Sequence, residues 1–255
     1  MKYNEKIIPI VREVRAMLLP SFGNVEVIDQ KSVNPGDVVT QLDRSVETFL
    51  KEKFAEVYPE IGFVGEEHGG DRNKELFWLV DPIDGTGYFV RGIACCTTMV
   101  ALIDHGQVIF SIIYDFVTDT MYWAEKGMGA FMNKEPIHVS DRGLKDAYIS
   151  FETHFVKTKN QIQFAEIEKN SGYICNMDSG WDFAMVACGK FDARLVFAAW
   201  GKDYDFAPGT LLVSEAGGKV VNIGSDTYDY KNLNFIAANP KLCDEIHALF
   251  ENYEI

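Results

Sequence analysis

The sequence lacks, first of all, a basic surplus. Among its 255 residues, 24 are Lys or Arg against 38 Asp or Glu, a formal charge of −14. Nucleic-acid backbones and anionic membranes require a basic face, so this balance excludes general binding to either. An anionic substrate would need metal ions beside it. Cysteines are few: five, an odd number, with no CxxC spacing and mostly in apolar surroundings. They read as reduced thiols of a cytoplasmic protein and suggest no zinc site. No stretch approaches the ~18 uninterrupted apolar residues of a membrane span, and the first fifteen residues carry charge throughout, so neither a span nor a leader is expected. Repeats, low-complexity tracts and Pro/Gly/Ser linkers are also missing. The chain is therefore expected to form a single domain over 1–255, with closely packed halves of about 1–146 and 147–255.

What is present is a 47% hydrophobic chain with clear periodicity. Ile7, Val11, Val14 and Leu18 recur at helical spacing and stop at Pro20-Ser-Phe-Gly23. After a β-like piece at Val25–Ile28, Asp37 reads as a turn former. Thr40 and Asp43 then have capping-box spacing ahead of a helix through Leu42, Val46, Phe49, Leu50, Phe54 and Val57. Ile61–Val64 reads as a strand running into Gly65-Glu66-Glu67-His68. Cys95–Ile103 and Gln107–Tyr114 flank Asp104-His-Gly106, a hairpin signal, and Thr120–Ala124 and Ala130–Asn133 continue an antiparallel meander. From about Ala147 strands and helices alternate: a strand at Tyr148–Phe151, a helix near Gln161–Lys169, a strand at Tyr173–Asn176, a helix at Trp181–Gly189 and a strand at Ala193–Ala198. A buried helix with Asp203 or Asp205 at its start and Gly217-Gly218 as its stop follows. Strands at Lys219–Asn222 and Asn234–Ala238 and a helix after Pro240 close the chain.

The most informative stretch is Trp78–Phe89, WLVDPIDGTGYF. An apolar run from Leu76 to Val80 reads as a buried strand that stops at Asp81-Pro82, because proline cannot donate to a ladder. Asp81 and Asp84 are three apart across a stiffening proline, so their carboxylates can converge. Gly85-Thr86 can bring backbone N–H groups close to an anion. Read alone, this is an Asp-Pro/Asp-Gly turn. Taken with Glu66, next to a second glutamate at a strand end, it suggests hard cations bridging protein and phosphate. His68 reads as a loop residue, since a carboxylate-rich set favours an oxygen-preferring ion.

Four blocks then carry a resemblance. Asp37-Val-Val-Thr-Gln-Leu-Asp43, Gly65-Glu66-Glu67, Asp81-Pro-Ile-Asp-Gly-Thr86 with Phe89, and Tyr204-Asp205-Phe-Ala-Pro-Gly with Glu215-Ala-Gly-Gly218 resemble, in order, the inositol monophosphatase family of magnesium-dependent, lithium-sensitive phosphatases. The resemblance implies a mixed α/β (α+β) fold of the layered αβαβα sugar-phosphatase type, with an antiparallel-rich N-terminal sheet and a smaller C-terminal α/β half. It further implies a protein, often a homodimer, that hydrolyses a small phosphorylated metabolite, a phosphate monoester, by metal-activated water, with two or three Mg2+ ions. By the same resemblance, Glu66, Asp81 and the carbonyl of Ile83 would hold one ion, and Asp81, Asp84 and Asp205 a second. Asp43 and Glu66 would lie near a third ion and the attacking water. Asp84, Gly85, Thr86 and Asp205 would contact the substrate, and the Thr86 hydroxyl, linked to Asp43, would help deprotonate the water. The chain departs from the family at Tyr88, usually Asn, and Tyr204, usually Trp. In Ala193–Lys202 it has no acid where inositol-specific members carry a glutamate. Fructose bisphosphate, 3′-phosphoadenosine 5′-phosphate and histidinol phosphate are alternative substrates on the same scaffold. A non-catalytic binding protein is the alternative of another class.

Overall fold

The computed structural model describes residues 3–30, 38–154, 161–177 and 179–250. Asp37, with the start of the first family-like block, lies outside them. In chain order the elements are α1 (Asn4–Leu18), β1 (Val27–Gln30), β2 (Val38–Thr40), α2 (Gln41–Val57), β3 (Gly62–Gly65), β4 (Gly69–Gly70), β5 (Leu76–Asp84), α3 (Thr86–Arg91), β6 (Thr97–Asp104), β7 (Gln107–Asp115), β8 (Thr120–Glu125), β9 (Gly129–Met132), β10 (Glu135–Pro136), β11 (Tyr148–Glu152), α4 (Gln161–Asn170), β12 (Tyr173–Cys175), α5 (Gly180–Ala187), β13 (Ala193–Val196), α6 (Asp203–Glu215), β14 (Lys219–Asn222), β15 (Phe235–Ala238) and α7 (Pro240–Phe250). None of these helices is long and apolar enough to cross a membrane.

A large sheet in the order β10-β9-β8-β7-β6-β5-β3-β4 is antiparallel except for the parallel pair β3/β5. The β6–β7 connection is a two-residue turn: Asp104 pairs with Gln107 and both turn residues have positive φ, 47° at His105 and 78° at Gly106. That is the geometry whose twist matches the strands it joins. A second sheet, β12-β11-β13-β15-β14, is parallel across β12/β11/β13 and antiparallel beyond.

Side-chain alternation stacks these pieces into five layers. Trp78, Val80, Val100, Leu102 and Ile112 of the large sheet bury one face against Ile7, Val11 and Val14 of α1 and Val46, Leu50 and Phe54 of α2. On the other face, Met99, Ile113, Tyr122 and Ala124 meet Phe183 and Val186 of α5 and Phe206, Leu212 and Val213 of α6. These two helices also receive Val196, Phe235 and Ala237 of the second sheet. The alternate residues Ala193, Leu195, Ile236 and Ala238 point the other way, to Leu242, Ile246 and Phe250 of α7. A period of two along each strand thus assigns every second residue to a different layer. The order is α1/α2, large sheet, α5/α6, second sheet, α4/α7, the αβαβα arrangement expected. The end of β5, the β3–β4 turn and the start of α6 come together at one place.

Candidate metal and phosphate site

The ladder of β5 does not stop at Asp81-Pro82, as the sequence suggests, but reaches Asp84. Asp81 pairs with Met99 and Asp84 with Thr97, so β5 uses one residue more than β6 over this interval. Pro82, which has no N–H to offer, sits in that irregularity, which is where a strand tolerates proline. The Thr98 hydroxyl donates to its carbonyl (2.9 Å). The bulge re-aims the side chains. Asp81 Oδ1 accepts the Ile83 N–H (3.0 Å), and Asp84 Oδ2 accepts from Thr97 Oγ1 (2.9 Å) and from the Gly180 N–H at the start of α5 (2.7 Å). Gly85 follows at φ 75°, a left-handed conformation that only glycine adopts cheaply, and a Cβ there would lie 2.9 Å from the Cys95 carbonyl oxygen. That turn starts the short helix α3 at Thr86, an element the sequence reading did not anticipate. The first N–H groups of a helix have no partner within it.

Thr40 caps α2, its hydroxyl accepting the Leu42 N–H, and Asp43 returns the favour by accepting the Thr40 N–H (2.7 Å). Asp43 Oδ2 also accepts the Thr40 hydroxyl (2.6 Å), and its other oxygen lies 3.1 Å from Thr86 Oγ1. The Thr86 hydroxyl can donate instead to the Ile83 carbonyl (2.7 Å). The helix start, the bulge and the α3 start are thereby tied together. Across the site, Asp205 is the third residue of α6, not its N-cap. Its Oδ2 accepts the N–H of the cap residue Lys202, so it helps to cap the helix while facing the site.

The structure brings three of the expected residues together: carboxylate oxygens of Asp81, Asp84 and Asp205 lie within 4.8 Å of one another. Glu66 stands beside this group, and its charge acts on both Asp81 and Asp205. Burial raises the carboxyls of Asp81 and Asp205 well above the usual range, and the negative charge of Glu66 adds to the effect. Burial pushes Asp84 up to about 7, against the Gly180 and Thr97 hydrogen bonds that favour its charged form. Asp43 is raised by burial too, with the Thr40 bonds opposing. Asp81 and Asp205 face each other closely enough that each carboxyl acts on the other. All-oxygen donors that repel one another when ionised fit a hard divalent cation. This group could hold one. His68 turns away to the buried Glu47, with Nδ1 2.8 Å from Oε1.

Two features escaped the sequence reading. One is Glu47, buried on α2. The other is a second set of buried charges. Arg194 of β13 donates to Ser150 Oγ (2.7 Å), Asp182 Oδ2 (2.9 Å) and Glu152 Oε2, and Glu152 Oε1 accepts the N–H groups of Trp200 (2.9 Å) and Gly201 (3.1 Å), just ahead of Asp205. The available signal was a charged residue inside an apolar strand, an apolar helix or the apolar stripe of an amphipathic one: Arg194 in ARLV, Asp182 in GWDFAMVA and Glu47 between Val46 and Leu50.

A carboxylate cluster next to helix-start N–H groups suits a phosphate ester, and phosphoric monoester hydrolases are the class that this fold and its likenesses define. Residues 4–254 match the inositol monophosphatase family, and the chain belongs to that family. It is 34% identical over 213 residues to an inositol-1-monophosphatase of Rhizobium meliloti, covering 79% of this chain and 78% of the relative. It is 28% identical over 248 residues to a fructose-1,6-bisphosphatase/inositol-1-monophosphatase of Thermotoga maritima, covering 94% and 92%. The solved structure of a Thermotoga maritima IMPase matches with a TM-score of 0.87 at 26% identity, over 99% of this chain and 98% of that one.

Proposed function

We propose that the chain hydrolyses a small phosphate monoester with Mg2+ as cofactor. The observation that carries the reading is the meeting of Asp81, Asp84 and Asp205 within 4.8 Å, carboxyls whose mutual repulsion a cation between them would relieve. Asp81, Asp84 and Asp205, with Glu66 and the Ile83 carbonyl, would hold the two or three ions. Bound there, Mg2+ would neutralise the phosphate and lower the pKa of the attacking water. The chain's own groups do the rest. The N–H groups of Gly85 and Thr86 hold phosphate oxygens at the start of α3. The Thr86 hydroxyl, 3.1 Å from Asp43 and 2.7 Å from the Ile83 carbonyl, orients the water and passes its proton toward the Asp43 carboxylate, which burial has made more basic. No covalent phosphoenzyme is needed for in-line attack.

The substrate is read as a small phosphorylated metabolite. The relative from Thermotoga maritima is named for both fructose-1,6-bisphosphate and inositol-1-phosphate hydrolysis. Ala193–Lys202 offers no carboxylate to sugar hydroxyls, which favours a less inositol-selective enzyme. Five free thiols fit a reducing cytoplasm, and burial pushes those of Cys175 and Cys243 up to about 11, away from reactivity. A homodimer and inhibition by Li+ belong to the same proposal through the family. The test is phosphate release from inositol-1-phosphate, fructose-1,6-bisphosphate, 3′-phosphoadenosine 5′-phosphate and histidinol phosphate, with Mg2+, with Ca2+ and with chelator. Turnover should require Mg2+, with Ca2+ a poor substitute because it accepts looser geometry. Equal turnover in chelator sinks the metal mechanism, and no turnover on any ester favours a binding protein.

A further inference from the structure

We propose that Glu47 is a positioning residue for metal binding, its buried carboxylate holding the turn that carries Glu66. Glu47 lies one helical turn beyond Asp43 on the same face of α2 and is wholly buried. A residue there used only for packing would be apolar, like its neighbours Val46 and Leu50, because burying a carboxylate is costly unless donors surround it. Here they do. Oε2 accepts the Glu67 N–H (2.7 Å), while Oε1 accepts the His68 N–H (2.8 Å) and meets His68 Nδ1 at 2.8 Å. Both backbone donors belong to the two residues that follow Glu66.

On the other side of Glu66, Gly65 pairs with Val80 in the β3/β5 ladder, and the Glu66 N–H donates to the Val80 carbonyl (3.0 Å). Residue 66 is therefore pinned from both directions, by the strand that carries Asp81 and by the helix that carries Asp43. Gly65 is the matching half of the device. A Cβ at that position would fall 2.1 Å from the Glu47 carboxyl carbon, so only glycine leaves room for the carboxylate under the turn. Binding sites whose ligands are held by fixed outer partners lose tenfold to a hundredfold in metal affinity when such a partner is removed. A glutamine at 47 keeps the shape but turns an amide NH2 toward donors, which loosens the turn without emptying the space.

The inference rests on the reading of Glu66 as part of a cation site, and the experiment keeps the two apart. Mn2+ would be titrated into the full chain and into Glu47→Gln and Gly65→Ala, with free Mn2+ followed by its spin-resonance signal, Mg2+ used as competitor, and folding checked by circular dichroism in chelator. Both variants should bind Mn2+ about 10- to 100-fold more weakly while remaining folded, and excess metal should restore most of kcat. A folded variant with unchanged Mn2+ affinity overturns the positioning role. So does loss of folding in both variants with metal and with chelator alike, because Glu47 would then be holding the fold and not the ligand turn. If the unaltered chain binds no Mn2+ and releases no phosphate, it is the metal-phosphatase reading that fails.

Discussion

Two acidic groups are buried side by side in this protein and are treated in opposite ways. Asp182 and Glu152 share the guanidinium of Arg194, which is 1% exposed, and Ser150 completes the set. Asp81, Asp84 and Asp205 meet one another, and the strongest influences on Asp81 and Asp205 are burial and other carboxylates. The groups meet at Asp84, whose carboxyl feels Arg194 in one direction and Asp182 in the other. Asp182 and Glu152 are as buried as Asp81 and Asp84, so burial alone does not mark a site. A set that brings its own cation is fastened to the fold, as when Glu152 holds the Trp200 and Gly201 N–H groups. A set without one is open to a cation from solution.

The comparison breaks most severely at Arg194. Arg194→Met fills the space but leaves Asp182 and Glu152 buried without a countercharge, which should cost about 3–5 kcal/mol of stability. Urea unfolding in Mg2+ and in chelator should give the same loss, since no solution cation reaches that set. A loss that Mg2+ repairs would mean that the two groups form one site.

Thr86→Ala acts on the other set and should leave stability nearly alone. It removes the hydroxyl between Asp43 and the Ile83 carbonyl but keeps the backbone N–H groups, so kcat should fall about 10²-fold, near 2.7 kcal/mol of barrier, with KM little changed. An unchanged kcat would assign the water to another residue.

How much of this was legible depended on distance along the chain. The Thr40/Asp43 capping box, the Asp104-His105-Gly106 hairpin and the strand at Ala193–Ala198 are local patterns, and the chain forms them, the last as Ala193–Val196. The four acidic blocks were legible as types at spacings, and the fold supplies what spacing cannot: Asp205 reaches Asp81 from another layer. The helix α3 was hidden because Asp84-Gly85 reads as a turn. The bulge was hidden because Asp-Pro reads as a stop, whereas one irregular step lets the strand continue to Asp84. Arg194 reaches Glu152 across 42 residues and Glu47 reaches His68 across 21, so neither role has a local signature beyond a charge in an apolar stripe.

The finest division falls at Asp205, which serves both purposes: it caps α6 through the Lys202 N–H and joins the carboxylates. Asp205→Asn keeps an oxygen for the cap and removes only the charge. The Mg2+ concentration for half-maximal activity should rise about tenfold or more, as for other partners in a metal site. Stability in chelator should change least of all, and its sign depends on pH. The carboxyls of the cluster are raised in the folded chain above their ordinary value of 3.8, Asp84 to about 7. Their contribution is complete below 3.8 and is lost as pH climbs through the folded values, because ionisation then sets buried charges against each other. In chelator the melting temperature should therefore decline as pH rises toward 7, and Asp205→Asn, with one fewer charge, should decline less steeply. Saturating Mg2+ should abolish the decline in the unaltered chain, the cation taking the place of the protons. Equal slopes for the two proteins in chelator, with equal Mg2+ requirements, would make Asp205 a helix cap and nothing more.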